Sequence, residues 1–205
     1  MHKKIAIFGG TFDPLHNGHI EIVKLASLKF ALNKVIFIPA FISPHKTNKI
    51  VTSPALRYEM VHKSLIKLSS ITPNVEFEIS NYEILQKGKS YTIKTIKHFK
   101  ENVLKSDEKL FLIIGEDSKN SFDTWKDYNN ILDKVKVISV SRTEENGSSN
   151  PSDKKFTDNR FFELKISNVD ISSTNIRNRI ENELDISNLV PDEVYKIIKR
   201  EKLYK

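Results

Sequence analysis

The sequence contains no cysteine, and this absence removes several kinds of chemistry at once. Disulfide bonds, thiolate metal ligands and a cysteine nucleophile are all excluded, and the lack of cysteine fits a reducing compartment. Any catalysis must therefore come from histidine, carboxylate, hydroxyl, lysine or arginine side chains.

A long apolar run is also missing near the start of the chain. The run at residues 5–8 stops at Gly9, far short of the hydrophobic segment of a secretory signal or a membrane span. We therefore expect a cytoplasmic protein with no membrane partner. Its 205 residues, 39% of them hydrophobic, are enough to bury one core. We therefore expect residues 1–205 to form a single domain.

The net charge favours a partner that carries phosphate groups. Lysine and arginine exceed aspartate and glutamate by 33 to 26, giving a formal charge of +7, which suits nucleic acid and nucleotides equally well. No basic block with interleaved aromatic residues is present, and Lys94, Lys97 and Lys100 have the spacing of a solvated helical face. We expect no stable nucleic-acid partner.

Short apolar runs alternate with stretches of helical periodicity. The runs predict strands at residues 5–8, 35–38, 75–79, 110–114 and 135–140, and a last short strand at 161–166. Helices are predicted from near His16, at 54–68 and 91–103, and in a small C-terminal helical portion at 172–180 and 191–202. This alternation predicts an α/β fold with a parallel sheet. Residues 144–155 are predicted to form a surface loop.

The sequence G-G-T-F-D-P-L-H-N-G-H at residues 9–19 connects the first predicted strand to the first helix. Gly9 and Gly10 are predicted to turn the chain sharply at the carboxyl end of the strand and to let a ligand approach the backbone. The G-x-G-x-x-G spacing of dinucleotide-binding proteins is absent.

Two histidines in this sequence are three residues apart at the predicted helix start. His16 and His19 should therefore project from one face, and Gly18 keeps the neighbouring surface free of side-chain bulk. Two imidazoles directed at one phosphate could donate hydrogen bonds to its oxygens during an in-line displacement. Either histidine by itself would more often be a helix cap or a surface group.

A second set of polar residues occupies I-S-S-T-N-I-R at residues 171–177, at the predicted start of a later helix. Ser172, Ser173 and Thr174 offer hydroxyl groups, and Arg177 follows Thr174 by one turn. Together with the helical N–H groups these side chains could bind an anion. In isolation, a helix cap rich in serine and threonine is usually only structural.

The first sequence resembles the G-G-T-F-D-P-x-H-x-G-H signature of the nucleotidylyltransferase superfamily, and the second is similar to its I-S-S-T-x-I-R motif. The resemblance implies a Rossmann-like, doubly wound parallel sheet with helices on both faces, and transfer of a nucleotidyl group with release of pyrophosphate. It implies three catalytic residues, His16, His19 and Arg177. The implied ATP-binding residues are Gly9, Gly10, Thr11, Phe12, His16, Gly18, His19, Gly115, Asp117, Ile171, Ser172, Ser173, Thr174 and Arg177.

Three further segments resemble bacterial nicotinate-mononucleotide adenylyltransferases. Residues 115–125 are similar to their G-x-D-s-x-x-x-F-x-x-W pattern, residues 90–92 are similar to S-Y-T, and residues 44–46 are similar to P-P-H-K except that Ser43 replaces the first proline. Two other residues depart from the family pattern. Lys94 stands where an acidic residue is expected, and Thr143 follows Arg142 where proline or glycine is common. The implied substrate-binding residues are Thr11, Lys46, Tyr91, Thr92, Trp125 and Arg142.

Trp125 would stack on the nicotinate ring in this interpretation, and backbone N–H groups around Tyr91 and Thr92 would hold the nicotinate carboxylate. Each of these residues has a plainer interpretation. Trp125 could simply be a core residue, Asp117 part of an ordinary turn and Lys46 a surface lysine.

The resulting hypothesis is transfer of adenylyl from ATP to nicotinate mononucleotide, giving nicotinate adenine dinucleotide and pyrophosphate. Mg²⁺ would arrive with ATP, and the protein would supply no metal site of its own. The alternatives are a related enzyme acting on nicotinamide mononucleotide or phosphopantetheine and, more remotely, a noncatalytic nucleotide- or RNA-binding module. A homo-oligomer is compatible with the sequence.

Overall fold

The computed structural model describes residues 2–44, 52–142, 159–167 and 171–205. Over these residues it contains the following strands: β1 (Lys4–Gly10), β2 (Lys34–Pro39), β3 (Glu76–Ile79), β4 (Lys109–Gly115), β5 (Lys136–Arg142) and β6 (Phe161–Ile166). The helices are α1 (Asn17–Phe30), α2 (Pro54–Ile71), α3 (Tyr82–Gln86), α4 (Thr92–Asn102), α5 (Glu116–Asn120), α6 (Tyr128–Lys134), α7 (Ser173–Glu181) and α8 (Asp192–Glu201). A 3₁₀ helix covers Phe122–Thr124.

The strands form one sheet in the order β3-β2-β1-β4-β5-β6, and each neighbouring pair is parallel. The chain therefore winds outward from β1 in one direction and from β4 in the other. This is the doubly wound arrangement, with its topological switch point between β1 and β4. In such sheets ligands bind beyond the carboxyl ends of the strands beside the switch point. The predicted Rossmann-like α/β fold is confirmed.

Helices cover both faces of the sheet because successive strand residues point to opposite faces and are apolar on each of them. Ala6 and Phe8 of β1 lie in one core with residues of α1, α2, α7 and α8, on what we call the α1 face. Ile5 and Ile7 lie in a second core with residues of α4 and α6, on the α4 face. Strands buried on both sides are typical of parallel sheets, and the C-terminal helices α7 and α8 complete the α1 face.

The predicted elements agree with the structure to within a few residues at their ends, and β6 matches in full. Four short elements were not predicted: α3, α5, α6 and the 3₁₀ helix. The helix predicted at residues 91–103 was the third in the prediction and is therefore α4, the fourth helix of the structure. The predicted loop at 144–155 lies outside the described residues. None of the described helices combines the length and apolar character needed to cross a membrane.

Candidate active site

Two glycines end β1 at the switch point, and the structure corrects their predicted role. Both belong to the strand, and the chain turns only after it, at Phe12, whose φ is 51°, and at residues 13–14. Phe12 is 2% exposed and packs edge-on against Phe8, with a ring-centroid distance of 5.6 Å. This packing offsets the cost of a left-handed backbone at a residue other than glycine.

The two glycines have different surroundings. A Cβ at Gly10 would lie 2.8 Å from ring atoms of Phe12, so only glycine leaves room for that ring. A Cβ at Gly9 would meet no atom within 4 Å, so the backbone of Gly9 borders open space at the edge of the sheet. Gly9 is thus the glycine beside which a phosphate group could approach the main chain.

The two histidines lie together at the start of α1, as their spacing predicts. Their rings stack with centroids 3.6 Å apart and an angle of 28° between the planes. The backbone N–H of His16 donates to Nδ1 of His19 over 3.2 Å. Since that nitrogen accepts a hydrogen bond, the proton of the neutral His19 ring resides on Nε2, which can donate to a ligand.

The second set of polar residues contacts the first directly. Ser173 Oγ donates to the carbonyl oxygen of Pro14 over 3.0 Å, and Arg177 Nη1 donates to that of Asp13 over 2.8 Å. Both acceptors precede His16 by no more than three residues. The start of α7 and the start of α1 therefore adjoin at one edge of the sheet, which is the arrangement that binding of a single triphosphate requires.

Side chains at the start of α7 are arranged as a helix cap. Ser172 Oγ accepts from the backbone N–H of Asn175 over 3.1 Å, and Arg177 Nη2 donates to Thr174 Oγ1 over 3.1 Å. Ile171 and Ser173 are half-buried, whereas Thr174 is exposed. The predicted capping is confirmed, and the guanidinium group is held on the side where Pro14 and the histidines lie.

A buried arginine that sequence reasoning missed fixes the loops around the glycines. Arg57 of α2 is fully buried and donates to three main-chain carbonyl oxygens: Thr11 over 2.7 Å, and Phe41 and Thr52 over 3.2 Å each. Burial lowers the pKa of the guanidinium group, and the nearby Asp13 partly offsets this effect. One signal was available, because Arg57 stands on the apolar stripe that continues at Met60 and Val61.

Two contacts from the end of the chain also escaped prediction. The backbone N–H of Asn17 donates to the carbonyl oxygen of Leu189 over 2.9 Å, which closes the start of α1. Tyr204 donates from its hydroxyl to Asp13 Oδ1 over 2.6 Å. No periodicity or motif links these residues, since each pair is separated by most of the chain.

Thr11, a predicted contact for both substrates, lies between the glycines and the histidines. Among the described residues, its hydroxyl oxygen is buried without a hydrogen-bond partner. Buried polar atoms are almost always paired, so this hydroxyl fits a site that a ligand completes.

Three of the predicted acceptor residues, Tyr91, Thr92 and Trp125, lie near one another on the α4 face. Tyr91 is the N-cap of α4 and Thr92 is its first residue. Trp125 is half-buried and packs against Phe122 at a centroid distance of 5.0 Å, while Nζ of the next residue, Lys126, lies 4.8 Å from the ring centre of Tyr91. An aromatic surface and a helix start are thus neighbours, as recognition of an aromatic carboxylate requires.

Beneath the start of α4 lies a buried carboxyl group that the sequence did not reveal. Glu83 of α3 is 9% exposed and accepts from Thr95 Oγ1 over 2.6 Å. Burial raises its pKa, and hydrogen bonds from Thr95 and Ser90 oppose the rise. Ser90 Oγ also accepts from the backbone N–H of Phe41 over 2.9 Å, so this network joins α4 to the loop after β2.

The remaining predicted residues lie at the same edge of the sheet or outside the described part. Gly115 ends β4, directly beside β1, and Asp117 is exposed in α5. Gly18 is buried in α1. Arg142 ends β5, and its side chain, like the whole of Lys46, lies outside the described residues. The described residues contain no group of three histidine, aspartate or glutamate side chains that could hold a metal ion.

Known proteins are similar to this chain over most or nearly all of its length. The cytidylyltransferase-like family model matches residues 7–179. A protein of Clostridium acetobutylicum named probable nicotinate-nucleotide adenylyltransferase is 40% identical, over 98% of this chain and 99% of the relative. A protein of Clostridium novyi with the same name is also 40% identical, over 99% and 100%.

Solved structures agree in fold. The nicotinic acid mononucleotide adenylyltransferase of Plasmodium falciparum complexed with APC superposes with a TM-score of 0.72 at 19% identity, over 99% of this chain and 98% of the other. Its complex with NaAD gives a TM-score of 0.69 at 20% identity, with the same coverage. By its family match and its clostridial relatives, the chain belongs to the cytidylyltransferase-like family, in the branch of the nicotinate-nucleotide adenylyltransferases.

Proposed function

We propose that the protein transfers the adenylyl group of ATP to the phosphate of nicotinate mononucleotide. A phosphate oxygen of the acceptor attacks the α-phosphorus of ATP, and the bond from that phosphorus to the oxygen bridging to the β-phosphate breaks. The products are nicotinate adenine dinucleotide and pyrophosphate. The observation that supports the proposal is the contact of Ser173 and Arg177 with the loop before His16, because one triphosphate could then reach both segments.

The residues around the triphosphate act by placing hydrogen-bond donors. In-line phosphoryl and nucleotidyl transfer needs little covalent help from the protein, since most of the barrier is lowered by positioning and by charge stabilisation. Nε2–H of His19 and the ring of His16 would donate to the oxygens of the α-phosphate. Gly9, Gly10, Thr11, Phe12 and Gly18 would shape the space around it.

The start of α7 would bind the leaving group. Ser172, Ser173, Thr174 and Arg177 offer hydroxyl groups, helical N–H groups and a guanidinium charge, all of which suit the β- and γ-phosphates. Ile171, Gly115 and Asp117 would complete the ATP site, with Asp117 accepting from ribose hydroxyls. Nucleotidyltransferases usually use a divalent metal, and we propose that Mg²⁺ would enter with the ATP substrate and offset the negative charge of its phosphates.

The acceptor would bind on the α4 face. The half-buried ring of Trp125 offers a surface for the pyridine ring, and the first N–H groups of α4, around Tyr91 and Thr92, suit a carboxylate because helix starts carry partial positive charge. Lys46 and Arg142 would contact phosphate groups. We propose that this reaction takes place in the cytoplasm, on a single domain formed by residues 1–205.

Pyrophosphate release measured across acceptors tests the proposal. With ATP and Mg²⁺ present, nicotinate mononucleotide is expected to give the highest kcat/KM, above nicotinamide mononucleotide and phosphopantetheine. Highest activity with either of the other acceptors would assign the chain to that reaction instead. Tight, salt-sensitive RNA binding without pyrophosphate release would indicate a noncatalytic module.

Replacement of Trp125 tests the acceptor site separately. Trp125→Ala should raise KM for nicotinate mononucleotide by about tenfold, since stacking of an aromatic side chain on a base contributes about 1–3 kcal/mol. Trp125→Phe keeps a flat ring and should recover most of this loss. KM for ATP should not change in either variant, and an equal rise in both KM values would contradict the assignment.

A further inference from the structure

A buried chain of hydrogen bonds joins the turn after α8 to the loop before the histidines. Tyr204 is 8% exposed and donates to Asp13 Oδ1, while its hydroxyl oxygen accepts from Thr52 Oγ1 over 3.0 Å. Because Thr52 supplies its own proton, the phenol proton is directed at the carboxylate. Burial and the nearby Asp13 raise the pKa of Tyr204, so the phenol stays protonated and keeps donating.

Asp13 receives a second hydrogen bond that leads to the other half of the site. Its carbonyl oxygen accepts from Arg177, while its carboxylate accepts from Tyr204. Asp13 itself is buried, and so is its hydrogen bond from Tyr204, whereas its hydrogen bond from Arg177 is only partly buried. Movement of Asp13 would therefore displace Arg177 and the segment that leads to His16 together.

Arg57 holds the same loop from its other side. It donates to the carbonyl oxygens of Thr11 and Thr52, and Thr52 is the residue that donates to Tyr204. The loop at residues 11–14 is thus fixed at its start by Arg57 and near its end by Tyr204. Neither residue lies in the motifs that the proposed function uses.

We propose that Tyr204 is a positioning residue for adenylyl transfer, whose hydroxyl holds Asp13 so that Thr11, His16 and Arg177 face one phosphate group. The proposal rests on the proposed function. A positioning role differs from a general role in stability because it should affect only one part of the site. The Tyr204 hydroxyl contacts the loop before His16, whereas the acceptor residues Tyr91 and Trp125 pack on the opposite face of the sheet.

Tyr204→Phe removes this hydroxyl with almost no change in volume. We expect kcat to fall roughly tenfold or more, because small misplacements of catalytic groups are costly. KM for nicotinate mononucleotide should stay within about twofold of the parent value, since the acceptor site is unchanged. Tyr195→Phe, at a half-buried tyrosine of α8, is the matched control and should keep the parent kcat.

A second control separates positioning from loss of stability. Leu68 is buried near the end of α2, about three helical turns from Arg57, so Leu68→Ala should lower the melting temperature and leave kcat unchanged. A kcat for Tyr204→Phe equal to that of the parent would overturn the proposal. An equal loss of kcat in Leu68→Ala would overturn it as well.

Amide hydrogen exchange gives a measurement that does not depend on activity. In Tyr204→Phe, exchange should accelerate in residues 11–19 and stay unchanged in residues 92–102 of α4. Unchanged exchange in residues 11–19 would overturn the proposal. If the parent protein released no pyrophosphate with any acceptor, the proposed function would fail, and the exchange pattern would still decide whether Tyr204 orders this loop.

Discussion

The chemistry proposed for His19 depends on one hydrogen bond. Its Nδ1 accepts from the main chain of His16, so a neutral ring presents a donor at Nε2 without needing a charge. The stacked ring of His16 and the edge of Phe12, at centroid distances of 3.6 Å and 5.1 Å, restrict the ring's orientation. A donor held in this way loses little entropy when a phosphate binds, which is the condition for strong stabilisation of a transition state.

Removing that donor should abolish most of the activity. His19→Ala is expected to lower kcat by roughly a hundredfold or more, as loss of a preorganised donor does in other enzymes. His62→Ala removes an exposed histidine on α2 and should leave kcat unchanged. Steady-state pyrophosphate release checks both variants, and near-normal turnover of His19→Ala would refute the assignment.

The two glycines of β1 should respond differently to the same change. Gly10→Ala forces a Cβ against the ring of Phe12 and should lower the free energy of unfolding by about 1–3 kcal/mol, the usual cost of overpacking. Gly9→Ala places its Cβ in open space and should leave stability unchanged, while raising KM for ATP if a phosphate approaches there. Urea unfolding and ATP titration measure the pair. Equal stability losses in both variants would contradict this account.

At the scale of residues, prediction from sequence succeeded where function and local structure share a motif. Residues 9–19 and 171–177 carry both their contacts and their chemistry in consecutive positions, so their meeting could be expected. Arg57 and Tyr204 could not be found in this way, because neither residue belongs to a motif that would point to its partners, such as Thr11, 46 residues from Arg57, and Asp13, 191 residues from Tyr204. The turn at Phe12 was misassigned to the glycines because burial of an aromatic ring, which sequence does not show, stabilises its left-handed backbone.

Among the elements, the contact between α3 and α4 should be the one whose stability depends most on pH. Since burial raises the pKa of Glu83, the folded protein keeps a proton that the unfolded chain releases above its ordinary pKa of 4.5. Stability contributed at this site is therefore present at low pH and is lost as pH rises through the raised pKa.

Glu83→Gln cannot lose that proton, so its stability relative to the parent should improve as pH rises above 4.5. Urea unfolding of both proteins over a pH series measures the difference. Glu101→Gln removes an exposed carboxylate from α4 and controls for the change in net charge. If the difference in free energy of unfolding between Glu83→Gln and the parent did not vary with pH, Glu83 would not have a raised pKa in the folded protein.

Among the elements, the long and periodic ones were predicted and the short ones were not. α2 and α4 have an apolar stripe of several turns, which identifies a helix from sequence alone. α3, α5 and α6 have five to seven residues each, too few for a period to stand out. Their helical state depends on the sheet and on the neighbouring helices, as expected for peptides too short to be helical in water.

For the whole molecule, the alternation of strands and helices was enough to predict a parallel sheet, and the resemblance to the nucleotidylyltransferases implied helices on both of its faces. The strand order 3-2-1-4-5-6 adds what alternation cannot supply, because it puts β1 beside β4. The histidines after β1 and the Gly115–Asp117 segment after β4 consequently follow neighbouring strands at the same edge of the sheet. Substrates that contact both segments would meet beyond the carboxyl ends of β1 and β4, the two central strands of the sheet.

The central claim is that bond breakage occurs between the α- and β-phosphates of ATP and that the α-phosphate passes to nicotinate mononucleotide. The direct test uses ATP carrying a radioactive label on the α-phosphate, incubated with Mg²⁺, the acceptor and the protein. We predict that the label appears in nicotinate adenine dinucleotide, in an amount equal to the unlabelled pyrophosphate released. Label recovered in ADP, or no labelled dinucleotide despite consumption of ATP, would contradict the account.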